Sequence, residues 1–149
     1  MREEELLSFT PNQRILIVAG AVLFLLGLVQ GGFVHAFANA RMALSAHLTA
    51  VQSGMALMIA GYGWAAASLS GKAETLARWT LVSGMYGLWL GLTLSAATGA
   101  SESLPIAGAG FSASQRVETT VSVTVLVSSL LMTVGWLIFV VGLARLKHR

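Results

Sequence analysis

The chain has 149 residues, of which 56% are hydrophobic and 10% charged, with a formal net charge of +3 and a mean hydropathy of +0.77. That balance excludes an ordinary soluble domain, and the lack of cysteine excludes disulfides, thiolate catalysis, iron–sulfur clusters and covalently attached c-type haem. The excess positive charge sits at segment ends and calls for no nucleic-acid partner.

The charges are segregated. No Asp, Glu, Lys or Arg occurs in 15–40, 42–71, 79–101 or 119–144. At a rise of roughly 1.5 Å per residue, about 20 apolar residues cross a hydrocarbon core about 30 Å thick, so each gap is long enough. The sequence therefore predicts an all-α fold, an antiparallel bundle of four transmembrane helices over about 15–37, 46–70, 77–98 and 120–144, in one integral membrane domain covering 1–149. An open sheet would leave edge groups unpaired in lipid. The continuous apolar runs also lack the alternation of a membrane β-barrel.

The first run ends in Ala38-Asn39-Ala40, which looks like a signal-peptide cleavage site. Against cleavage stand a charge-free run of 26 residues and Glu3, Glu4 and Glu5 ahead of it. Thr10-Pro11-Asn12-Gln13 reads as the cap of the first helix, with Pro in the first turn. Next comes NARMALSAHLTAVQSGM, residues 39–55, which places Arg41 and His47 between two spans. His35 and His47 flank a short connection, so their imidazoles should lie at similar depth. Each is either an interfacial residue or a ligand, and together they would make a bis-histidine haem site.

Gln30, Gln52 and Ser53 are the other polar groups of the first two spans. Ser53 follows His47 by six residues, which on a helix puts it about 120° round and about 9 Å along. That separation suits a large flat cofactor with substrate beyond it, and suits a direct hydrogen bond poorly. On the third span the phenol of Tyr86 needs a partner in mid-membrane and is a candidate site residue. Gly27-Leu-Val-Gln-Gly31 and Gly87-Leu-Trp-Leu-Gly91 have the small-xxx-small spacing that lets helices approach closely. Residues 99–118, GASESLPIAGAGFSASQRVE, form a long connection whose apolar stretch Leu104–Ala107 should fold over the bundle mouth. Glu118 is expected to pair with Arg41 or Arg116.

The run at 39–55, SGMYGLWLGLTLSAATGA at 83–100 and LPIAGAG at 104–110 together resemble hydroxylaminobenzene mutase, in matching order over most of the chain. A more distant likeness is to styrene oxide isomerase. The resemblance implies an isomerase acting on small aromatic compounds, with the mutases converting arylhydroxylamines to ortho-aminophenols. Styrene oxide isomerase is a trimer with ferric haem b as Lewis acid, and its axial histidine matches His47. Extended to this chain, the likeness implies His47 as the iron ligand, Arg41 and Asn39 at the haem propionates, Ser53 and Tyr86 orienting substrate, and a homotrimer.

Three positions depart from the relatives. Ser53 stands where they have asparagine, Leu92 falls at the isomerase's tyrosine, and Leu88 falls at the mutases' asparagine. Two other expectations compete with the isomerase. One is a haem electron-transfer or sensor protein with His35 as second ligand, and the other is a non-catalytic membrane scaffold.

Lys and Arg number seven in the two tails and at the connection between the second and third spans (Arg2, Arg14, Lys72, Arg78, Arg145, Lys147 and Arg149), against two (Arg41 and Arg116) on the other side. The positive-inside rule then puts both termini in the cytoplasm of an inner-membrane protein. The cysteine-free chain makes this easy to check with single cysteines and a membrane-impermeant maleimide. Ser103→Cys should label in intact spheroplasts, and Ala73→Cys only after permeabilisation; the opposite pattern would invert the topology.

Overall fold

A computed structural model describes residues 9–145. Arg2, the three glutamates at 3–5, Lys147 and Arg149, which bear on orientation, lie outside the described residues. Four helices follow in order: α1 over Pro11–Gly31, α2 over Ala40–Gly63, α3 over Gly71–Thr98 and α4 over Gln115–Ala144. A 3₁₀ turn at Val34–Ala36 links α1 to α2, and another at Trp64–Ala67 continues α2. All four helices are long and apolar enough to cross a membrane, and the described residues contain no strand. The protein is an all-α, multi-pass membrane protein.

The helix starts have local causes. Thr10 and Gln13 form a reciprocal capping box, with Pro11 in the first turn, so α1 begins at Pro11 rather than near residue 15. Asn39 caps α2 through Oδ1, which accepts from Met42 N at 3.1 Å. This cap starts α2 six residues earlier than the apolar pattern indicates and brings Arg41 into its first turn. Gly31-Gly32 ends α1 well before residue 37, because consecutive glycines are poor helix formers. Gly99 ends α3 at φ +81°, a left-handed conformation that glycine adopts without strain, and its N–H reaches Ser95 O at 2.8 Å.

Packing follows from glycine. A Cβ added at Gly54 would lie 2.6 Å from Phe24 N and 2.7 Å from Gly20 O, so the α1 and α2 backbones touch there. A Cβ at Gly84 would lie 2.6 Å from Met132 N, which shows the same closeness between α3 and α4. The two hairpins join along α2 and α3, where Met42, Ala43 and Ala46 pack against Leu92 and Ala96. At the opposite end Trp64 stacks on Phe139 with ring centroids 5.5 Å apart, and Glu74 accepts from Trp64 Nε1 and Asn12 Nδ2. α1 and α3 meet only lightly, so one side of the protomer is open. Leu25, Ile59, Leu126 and Leu130 are exposed on the outer faces, where lipid is their natural solvent. Lipid gives helices no hydrophobic reason to associate, so the glycine contacts carry the packing.

Gly54→Ala should therefore destabilise the protein by about 1–3 kcal/mol in detergent, from overlap with the α1 backbone. Gly63→Ala is the control, since the nearest atom to its added Cβ would be Phe139 Cζ at 3.7 Å. Thermal unfolding should separate the two variants, with Gly63→Ala close to wild type.

Candidate functional site

His47 lies in the second turn of α2, facing the last turn of α1. Its Nδ1 is 2.7 Å from Gly27 O. A carbonyl only accepts, so Nδ1 must carry the proton, and the lone pair of the neutral imidazole is then on Nε2. Gly31 makes room for the ring, because a Cβ there would sit 2.8 Å from both Cε1 and Nδ1. The Gly27–Gly31 spacing thus serves two purposes: it seats α1 on α2 at Ala50 and Val51, and it leaves a slot for the imidazole. His47 is half-buried, whereas His35 is exposed in the 3₁₀ turn. Among the described residues, no cluster of three His, Cys, Asp or Glu could hold a bare metal ion. His47 is instead a single, oriented nitrogen donor.

The mouth above it is organised by two buried polar groups. Asn39 is fully buried; besides capping α2, its Nδ2 donates to Ala107 O at 2.9 Å and its N–H donates to Ala96 O at 2.9 Å. Arg41 is exposed and donates through a guanidinium nitrogen to Ala109 O. Glu118, expected to pair with Arg41 or Arg116, instead binds backbone. Its carboxylate accepts from Ser101 N at 2.9 Å, Glu102 N at 3.0 Å and Ala113 N at 3.0 Å. These amides are loop donors with no helix or strand to satisfy them, and a buried carboxylate supplies several acceptor sites at once. Ser95 Oγ to Ala100 O and Ser101 Oγ to Phe111 O close the remaining turns. The 99–114 connection is thereby an ordered cap on the same end as His47.

Ser53 is buried on α2. Gln52, by contrast, is exposed. Tyr86 reaches across to α1, donating to Ala19 O at 2.8 Å, and its ring meets Trp89 edge to face. Leu88 and Leu92 pack against the α2 cluster of Met42, Ala43 and Ala46, so that interface is apolar. Sequence reasoning picks out Gln30 as a polar group of the first span but misses its role: it bridges α1 to α3 through Trp89 Nε1 at 2.7 Å and Thr93 Oγ1 at 3.1 Å. Gln30 stands out as a polar residue in an apolar run, but its partners are some 60 residues away and no periodicity points to them.

A cavity of about 670 Å³ lies elsewhere, between the first half of α1 and α3, lined by Phe9, Arg14, Ile15, Val18, Trp79 and Val82. Ile15 precedes Gly27 by about 18 Å of helix, so this groove is not the histidine site.

Four helices able to span a membrane, a pinned imidazole and a capped apolar mouth define a small multi-pass membrane protein. Residues 12–144 match the styrene oxide isomerase family, and the chain belongs to that family. It is a membrane isomerase. Its relatives include hydroxylaminobenzene mutase HabA of Ectopseudomonas oleovorans, 37% identical over 135 residues that cover 89% of this chain and 99% of HabA. Hydroxylaminobenzene mutase HabB of the same organism is 36% identical over 125 residues, covering 83% of this chain and 76% of HabB. No solved structure matches the chain. The resemblance read from the segments at 39–55, 83–100 and 104–110 therefore holds.

The cap makes a specific prediction for hydrogen exchange. Glu118→Ala should release the amides of Ser101, Glu102 and Ala113 to fast exchange while α2 and α3 stay protected. Asn39→Ala should cost about 1–2 kcal/mol of stability through the lost helix cap. Unchanged exchange in the 99–114 segment of Glu118→Ala would show that the carboxylate does not hold the loop.

Proposed function

We propose that this isomerase rearranges arylhydroxylamines to ortho-aminophenols, with ferric haem b bound through His47, as a homotrimer in the inner membrane with both termini cytoplasmic. The observation that carries the reading is the 2.7 Å contact of His47 Nδ1 with Gly27 O. An outer-sphere bond of this kind orients a ligating histidine and sets which nitrogen carries the proton. The donor chemistry fits a haem: His47 would hold it through one imidazole nitrogen, with the porphyrin supplying its own nitrogens to the iron. The names of HabA and HabB support the substrate class.

The reaction needs no co-substrate. The N–O bond breaks, a C–O bond forms at the ortho carbon, and the hydrogen displaced from that carbon ends on nitrogen. Ferric haem, when bound, supplies a Lewis acid that eases N–O heterolysis. The protein's part is orientation and exclusion of water. Leu92, Met42, Ala43 and Ala46 are buried, giving an apolar wall that limits capture of an electron-deficient ring by bulk water. Ser53 offers a hydroxyl, farther along α2 than His47, for substrate. Tyr86 shapes the site with its ring, its hydroxyl being held by Ala19 O. Arg41 keeps further N–H groups for a propionate beside its bond to the loop, and Asn39 acts by fixing the loop that Arg41 also holds. A half-buried His47 and an open α1–α3 side suit a centre completed by a second copy of the chain. Neutral aromatic substrates partition into lipid, which matches a catalyst made of membrane helices.

The test is the absorption spectrum of detergent-purified protein, with haem supplied, beside its His47→Ala variant. Wild type should show a Soret band that His47→Ala loses, and should convert phenylhydroxylamine to 2-aminophenol. Equal haem binding by both proteins would remove His47 as ligand, and haem-loaded protein without product would remove the reaction.

A further inference from the structure

Gln30, Trp89 and Thr93 form a directed hydrogen-bond chain inside the membrane span that the reading above does not use. An indole N–H only donates, so the Gln30 carbonyl faces Trp89 and its amide nitrogen donates to Thr93 Oγ1. Thr93 is thereby an acceptor from Gln30 and has its own proton left to give. Thr80, Ser83, Thr98, Thr124 and Thr133 turn that proton back onto the carbonyl four residues earlier. Thr93 makes no such bond, and among the described residues no acceptor takes its O–H. It is half-buried, so the hydroxyl remains within reach of a ligand. Each link polarises the next, which makes the terminal O–H a better donor than an isolated threonine.

Position ties this donor to the histidine. Gln30 belongs to the Gly27–Gly31 turn that holds His47, about 60° round the helix from Gly27. His47 and Thr93 therefore meet two flanks of a single turn of α1. The adjacent Leu92 faces α2 and is apolar, while Thr93 faces α1. Polar groups in a membrane span are costly, and an uncommitted donor there points to a ligand.

We propose that Thr93, polarised through Gln30 by Trp89, forms a substrate subsite that donates a hydrogen bond to the N-hydroxyl oxygen of the neutral aromatic hydroxylamine. The proposal rests on the arylhydroxylamine reading. A hydrogen bond to that oxygen strengthens as the N–O bond breaks and negative charge gathers there, so it favours the transition state over bound substrate.

The experiment compares wild type, Thr93→Val and Thr93→Ser for turnover of phenylhydroxylamine, Soret absorbance and melting temperature. Thr93→Val keeps the shape and removes the donor, and it also leaves the buried Gln30 amide without its acceptor; assayed well below its lowered melting temperature, it should lose about tenfold or more in kcat/KM, mostly in kcat, with haem content unchanged. Thr93→Ser restores the hydroxyl and should stay within about threefold of wild type. Wild-type kinetics in Thr93→Val, or equal losses in both variants, would each overturn the subsite and leave helix bridging as the role of Thr93. Absence of turnover by haem-loaded wild type would overturn the reaction itself, and this inference with it.

Discussion

Everything near the histidine depends on how closely α1 can lie on α2. An imidazole is short, and for its Nδ1 to reach a main-chain carbonyl on another helix the two backbones must be nearly in contact. Glycine at 20, 27, 31 and 54 permits that contact, and each added Cβ would meet an atom of α2 or α1 within 3 Å. The carbonyl of Gly27 has two lone pairs, so it can serve the α1 ladder and still accept from His47. Helix packing in lipid and the orientation of the His47 imidazole thus share one set of glycines. A larger residue at either 27 or 31 would disturb both together.

The loop end shows the same economy with polar groups. Asn39 caps α2, anchors Ala107 and meets Ala96, three tasks that place the α1–α2 connection, the loop and α3 relative to one another. Glu118 gathers loop amides from both sides of the 101–113 excursion and returns the chain into α4. Burial of a carboxylate is tolerable here because it is surrounded by donors that would otherwise have no partner. The result is a fixed cap on the end of the bundle where His47 lies.

How much of this was legible in the sequence depends on whether the cause was local. Charge-free runs announced the four helices because membrane thickness imposes their length. The glycine pairs at 27 and 31 and at 87 and 91 were readable as close-packing motifs, and both lie in tight helix contacts. The start of α2 was not readable from hydropathy, since Asn39 sets it through a side-chain cap and Arg41 masks the first turn. The partners of Glu118 were misjudged for a physical reason: sequence suggests the nearest opposite charge, while the fold brings it unsatisfied backbone amides. The Gln30 bridge to Trp89 and Thr93 joins residues far apart in the chain, and only three-dimensional packing pairs them.

The central claim is that α1 positions His47 so that Nε2 faces an iron. Gly31→Ala tests it without altering any group that donates or accepts a hydrogen bond, because its Cβ would press on the imidazole edge at 2.8 Å. The measurement is the low-temperature electron paramagnetic resonance spectrum of the ferric, haem-supplied protein, with helical content checked in parallel. The account predicts a single-histidine ferric signal in wild type that shifts or weakens in Gly31→Ala while the helices persist. An identical signal in the two proteins would contradict it.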